Sequence, residues 1–308
     1  MPYQTGTCSS LADLKTTIEA FAQTNGWTMV NGVLNKSGVH VKFDTPADNV
    51  RFLVGTGDDG LGTLTDVFDH TDDFYSGGDG LQICNVRNGQ TIQYPATYHL
   101  ISLSNPDNIF CVINYNIEHC QHLAFGNFQK YGTWGGGQYG SATAYDNQST
   151  QPSFLEYSRV NGAARAGSGA YLFAVEEASG GSGIDPLPNA VVKCDVDGMT
   201  WRAFMESYNS SQTFRNERSC SAADWSQPFL TQLSTINLQP VMCPPVLSIG
   251  RADSHYSVAG IMPHVRYLRV DYYNPGDIIE VGAQKWIVFP HTSVTDFNGG
   301  WAIKYDGP

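Results

Sequence analysis

Residues 27–43, WTMVNGVLNKSGVHVKF, carry two turn dipeptides inside one apolar stretch: Asn31-Gly32 and Ser37-Gly38. No other feature restricts the fold as much. A two-residue hairpin loop of the common type needs positive φ at both central positions, and Asn-Gly flanked by apolar runs is the strongest short-range signal for it. Ser37-Gly38 repeats the device six residues on, so the flanking runs are expected to pair antiparallel as a meander. The segment before them, SSLADLKTTIEAFAQTNGWT, puts Leu11, Leu14, Ile18 and Phe21 on one helical face. Ser10 with Asp13 reads as a capping box and Asn25-Gly26 as a left-handed stop. The chain is therefore expected to open as one amphipathic helix feeding the meander.

The pattern stays strand-like between about 80 and 150, in LQICNV, TYHLISL and IFCVINYNIEH. It returns near the C-terminus in HVRYLRVDYYNPGDIIEVGAQKWIVFPH, with turns at NPGD and GAQK, and in a last strand, WAIKY. There Ile287 and Phe289 alternate against Val288. Residues 160–190 are rich in Gly, Ser and Ala and read as a long surface insertion or a flexible loop; MTWRAFMESYNSS reads as a short helix and the remainder to about 240 as irregular. Charged residues are only 15% and aromatics 12%, with 32 glycines and 15 prolines, which suits short strands joined by irregular loops. The expected fold is mainly β, in antiparallel sandwich or meander lobes with one N-terminal amphipathic helix. Residues 1–150 would hold the helix and a first β lobe, 151–240 a loop-rich insertion, and 241–308 C-terminal hairpins packed on the first lobe.

A net charge of −12 argues against nucleic acid or an anionic membrane as the main partner. No stretch approaches 18 apolar residues, and MPYQTGTCSS lacks the charged and apolar regions of a secretory leader. Seven scattered cysteines, never in C-x-x-C spacing, point to free thiols and folding in a reducing cytoplasm.

Four stretches invite a chemical reading. GTGDDG (55–60) matches the dinucleotide fingerprint in form, but Asp58 and Asp59 would face the phosphate and no helical repeat follows, so a scaffold turn is the better reading. EHCQH offers His119, Cys120 and His122; on a strand Cys120 and His122 share a side while His119 points away, and a remote residue such as His99 would have to complete a zinc site. The acidic run Asp58, Asp59, Asp66, Asp69, Asp72, Asp73 and Asp79 fails the EF-hand spacing, though irregular oxygen cages also hold calcium. No nucleophile elbow, zincin motif or phosphate loop is present. The expectation is no catalytic residues, no cofactor and no required metal, with ion binding by the acidic run or by EHCQH left open.

The fourth stretch, NFQKYGTWGGGQYGSATAYDN (127–147), interleaves Tyr131, Trp134, Tyr139 and Tyr145 with glycines. It reads as a contact surface, as a sugar-stacking platform, or as aromatics folded back over the core. Tyr131, Trp134 and Tyr139 are the candidate interface residues.

Several segments resemble, in order, those of tailed-bacteriophage virion proteins. DLKTTIEAFAQTNGWT is similar to the family's opening helix, and VRFLVGTGDDGLGTLTDVFDH to its glycine-rich turn and strand. HCQHLAFGNFQKYGTWGGGQY resembles its H-L-x-F-G-x-x-x-K-x-G-x-W-x-G-G signature, and DIIEVGAQKWIVFPH with GWAIKYDG its closing strands. These cover about half the chain. The resemblance implies a non-enzymatic structural component of the neck, collar or tail, made in the host cytoplasm, present in symmetric copies and bound to itself and other virion proteins. The alternative is a phage polysaccharide-binding or -degrading protein.

Overall fold

The computed structural model describes residues 2–45, 49–67, 81–87, 90–114, 120–142, 190–195, 198, 201–204, 219–221, 235–236, 239–250, 256–269, 273–290 and 299–307. Within them the chain is mainly β, with antiparallel sheets and one helix near the N-terminus, as its patterning requires.

It opens on a strand, not on the helix: β1 (Tyr3–Cys8) precedes α1 (Leu11–Thr24). The meander follows as β2 (Thr28–Val30), β3 (Val33–Lys36) and β4 (Val39–Asp44), then β5 (Asn49–Asp58), β6 (Leu64–Val67) and β7 (Leu81–Cys84). Asn31 and Gly32 sit at φ 49° and 80°, Ser37 and Gly38 at 51° and 77°, so both hairpins take the doubly left-handed turn that the dipeptides predict. In α1, Ser10 caps the helix by accepting from the Asp13 N–H. Asp13 reaches back to Ser9, accepting from its N–H and hydroxyl, a capping box displaced by one residue. Leu11, Leu14, Ile18 and Phe21 are all buried, and full burial of a large apolar side chain is worth about 1.5–3 kcal/mol.

A short ladder, β8 (Val86–Arg87) with β9 (Gln90–Thr91), leads into the central strands β10 (Ala96–Leu103), β11 (Asn108–Asn114) and β12 (Cys120–Asn127). β13 (Gln129–Lys130) and β14 (Gly136–Ala142) follow. Then come β15 (Ala190–Cys194), β16 (Trp201–Phe204), β17 (Ser219–Ser221), β18 (Thr235–Ile236), β19 (Gln239–Pro240), β20 (Met242–Cys243), β21 (Val246–Gly250) and β22 (Tyr256–Ile261). The largest sheet runs β1-β10-β11-β12-β14-β15-β16-β17-β21-β22-β13. β12 and β13 are separated only by Phe128, so the ladder leaves β12, passes through β14 to β22 and returns to its own starting strand. Trp201–Phe204 is strand where its sequence suggests helix: it pairs antiparallel with β15 and parallel with β17, and ladder partners outweigh local helix propensity. The rest of MTWRAFMESYNSS, residues 199–200 and 205–211, lies outside the described residues, as does the 160–189 part of the glycine-rich stretch.

β23 (Val265–Arg269), β24 (Ile278–Val281), β25 (Gln284–Pro290) and β26 (Gly299–Tyr305) form a C-terminal sheet with β20, in the order β20-β23-β26-β25-β24. Its NPGD turn closes with the Asp277 N–H on the Asn274 carbonyl at 3.1 Å.

Side-chain parity on β10–β12 explains the layering. Leu100, Ile109, Cys111, Ile113, Leu123 and Phe125 join a core with α1 and the N-terminal sheet. Their neighbours Ile101, Phe110, Val112 and Ala124 join a second core with Val265, Ile287, Phe289, Trp301 and Ile303. The central strands are thus covered on both faces, one layer on each. The C-terminal sheet has a smaller core on its far side, around Leu268, Trp286 and Val288, so Ile287/Phe289 and Val288 are both buried, on opposite faces.

Candidate functional site

The aromatic stretch forms the crossing between two parts of the largest sheet. The Phe128 N–H donates to the Gly137 carbonyl at 2.9 Å, and the chain then swings away so that Gln129 and Lys130 pair with Ile261 and Gly260. The Tyr131 N–H continues that ladder onto the Ala259 carbonyl at 2.8 Å. A tight turn brings the chain back as β14.

That turn is pinned by its own side chains. Trp134 donates from Nε1 to the Tyr131 carbonyl at 3.1 Å, and Lys130 donates from Nζ to the Trp134 carbonyl at 2.8 Å. The same ammonium lies 5.2 Å from the centre of the Trp134 ring, whose other neighbour is Phe128 at 5.8 Å. Trp134 is half-buried against the second core, while Tyr131 is 49% exposed. On the adjoining strand Val258 is 46% exposed, a surface apolar residue that no sequence motif marks.

One expectation about this stretch changes. Tyr139 is not presented to a partner: it is 0% exposed on β14, in the second core, and its hydroxyl donates to Asn108 Oδ1 at 2.6 Å. Gly136 sits at φ 94°, and a Cβ there would come within 2.5 Å of the Lys193 carbonyl, so it is β15 of the same chain that needs the space. Tyr145 lies outside the described residues.

The GTGDDG stretch is the end of β5 and the turn to β6. A Cβ at Gly55 would meet the Thr65 carbonyl at 2.7 Å, so the first glycine serves strand packing. Asp58 takes the Gly60 N–H and pairs with His40 Nδ1 at 2.8 Å; Asp59 accepts from the Thr63 and Leu61 N–H groups, which hold its carboxyl below the usual range. These carboxylates stabilise a turn, accepting from its backbone and, at Asp58, holding His40.

Asp66 does something the sequence does not announce. At φ 47° it receives Lys193 Nζ at 2.6 and 2.7 Å and the Thr56 hydroxyl, while its carbonyl accepts from Trp201 Nε1 at 2.7 Å. The ammonium also lies 5.8 Å from the Trp201 ring centre. Strand β6 of the N-terminal sheet is thereby fastened to β15 and β16. Asp69, Asp72, Asp73 and Asp79 lie outside the described residues.

Cys120 and His122 share a face of β12, the one turned to the second core; His119 lies outside the described residues. Cys120 Sγ donates to Asn114 Oδ1 at 3.1 Å, and burial raises its thiol to about 12. His122 Nε2 shares a hydrogen bond with Ser141 Oγ at 3.1 Å, its ring stands 5.6 Å from Trp301, and burial lowers it to about 3. Remote His99 hydrogen-bonds Tyr3 instead. Among the described residues no group of three His, Cys, Asp or Glu side chains is placed to hold a metal ion. Compared with known proteins, the chain matches no family model and no curated protein.

Proposed function

We propose that the chain is a non-enzymatic structural component of a tailed-phage particle, built into the neck, collar or tail in several symmetric copies. The observation that carries this reading is the preformed aromatic turn: Tyr131 stands exposed on a backbone held at both ends by hydrogen bonds, with Val258 on the next strand. A rigid aromatic loses little entropy on docking, and such residues dominate the centres of protein interfaces. The ordered resemblance to virion proteins supplies the particle. The sugar-stacking alternative draws less support, because the Trp134 ring is already engaged by Lys130 and Phe128.

Virions purified by density gradient and probed with an antibody to the chain test the reading. Several copies per particle at one place on the neck or tail are expected; a chain found only in the infected-cell lysate overturns it. Tyr131→Ala should melt within about 0.5 kcal/mol of the parent, as surface substitutions do, yet incorporate poorly. Trp134→Ala should also lose about 1–2 kcal/mol of stability, below the 3–5 kcal/mol of a fully buried tryptophan.

A further inference from the structure

The histidines buried among the described residues, His99, His122 and His264, all lie along one seam. His99 is on β10 next to Leu100, whose side chain enters the first core, so its imidazole faces the second. It hydrogen-bonds the Tyr3 hydroxyl at 2.8 Å and stands 5.3 Å from Phe289 of β25. The turn before β24 also reaches it, since a Cβ on Gly276 would lie 3.6 Å from the imidazole Cε1. His122 shares that face and meets Trp301 of β26. His264 approaches from the other side, just before β23, with the 104–106 turn of the central sheet beside its ring. By contrast, no buried histidine lies on α1 or the N-terminal sheet among the described residues.

We propose that this seam is an acid-sensitive joint, at which the C-terminal sheet detaches from the central strands and unfolds while the N-terminal layer stays folded. The neutral imidazoles are packed between apolar and aromatic side chains, where a charge has little solvation. Burial outweighs every other influence on these three imidazoles, and among the described residues the following titratable and charged groups face them. His99 meets the Tyr3 hydroxyl, with Tyr305 beyond it at a ring distance of 4.9 Å. Asp277, next to Gly276, is held on the Asn274 N–H at 2.7 Å. His122 meets the Ser141 hydroxyl, with Cys120 along its own strand. His264 feels Lys304, which opposes a second positive charge, against backbone carbonyls at 104–106 that favour it.

Burial lowers His99 to about 4 and His122 to about 3, and lowers His264 as well. The sign follows. In the open form the imidazoles take protons near their ordinary value, so closure is unaffected well above it and weakens as pH falls through it toward the buried values. At pH 5 each of His99 and His122 favours opening by roughly 30-fold, and the two together by roughly a thousandfold.

Hydrogen exchange of the full chain at pH 7.5 and pH 5, corrected for intrinsic rates, tests the joint. Amides of β23, β25 and β26 should lose protection by two to three orders of magnitude, while α1, β4 and β5 keep theirs. His99→Asn keeps an acceptor at the Nδ1 position and His122→Gln one at Nε2; in the double variant the loss should shrink to under tenfold. Unchanged C-terminal protection at pH 5, or loss in both layers together, overturns the proposal, and the parent chain alone decides both.

Discussion

The ion pair between Asp66 and Lys193 is lopsided, and its two halves should not be equally expendable. The Lys193 side chain is 11% exposed, while that of Asp66 keeps 42% of its surface in water. In Lys193→Met the carboxylate turns to solvent, keeping the Thr56 hydroxyl, and the methionine stem fills the space beside Trp201; we expect a loss under about 1 kcal/mol, as for solvent-facing pairs and apolar replacements. Asp66→Asn instead leaves the near-buried ammonium facing a neutral amide. Removing one partner of a fully buried pair costs 3–5 kcal/mol, and the residual exposure of this one reduces that to about 2–3 kcal/mol. Asparagine accepts the left-handed φ of 47° nearly as well as aspartate, so the backbone and the Trp201 bond to the Asp66 carbonyl survive. The double variant should resemble Lys193→Met alone. Urea unfolding at pH 7, followed by tryptophan fluorescence and extrapolated linearly, measures all four chains. A Lys193→Met chain less stable than Asp66→Asn would mean that relative burial does not set the cost of breaking this pair.

Tyr139→Phe removes the donor to Asn108 Oδ1 in a fully buried site and should cost about 1–3 kcal/mol in the same assay. Were it neutral, that hydrogen bond would have no stabilising role. Ser10→Ala strips the N-cap acceptor from α1 and should cost about 1 kcal/mol; restoring the acceptor with Ser10→Asp should recover most of it.

The readable parts of this fold are those fixed by a few consecutive residues. Asn31-Gly32 and Ser37-Gly38 dictate their turns because φ is a property of the residue itself, and the apolar face of α1 follows from spacing alone. GTGDDG reads as a turn because two aspartates disqualify a phosphate site. β1 escapes notice: YQTGTC alternates weakly, and its strand character comes from β10, more than ninety residues away, with Tyr3 opposite Ile101. β16 escapes for the same reason. The aromatic stretch is legible as a group but not residue by residue, since Trp134 and Tyr139 sit in similar glycine-rich surroundings. The ladder on β14 alone sends one to the turn and the other into the core. Asp66 and Lys193, 127 residues apart, have no local signature at all.

A sheet covered on both faces is also a problem of timing. During synthesis β10–β12 emerge about 130 residues ahead of β22 and the strands after it, which at 5–20 residues per second is a wait of roughly 6 to 26 seconds. α1 and the N-terminal sheet are already available to cover one face. Among the described residues, those that cover the other, with Ile101, Phe110 and Val112, come from the last quarter of the chain. Ile109–Ile113 carries neither charge nor proline, the composition of an aggregation-prone window. Soluble yield should therefore follow translation and dilution more closely than native stability: slowing growth by cooling, or releasing the chain at low concentration, would raise it. Stabilising variants in the first core would leave it unchanged, and a yield that tracked melting temperature across such variants would contradict this account.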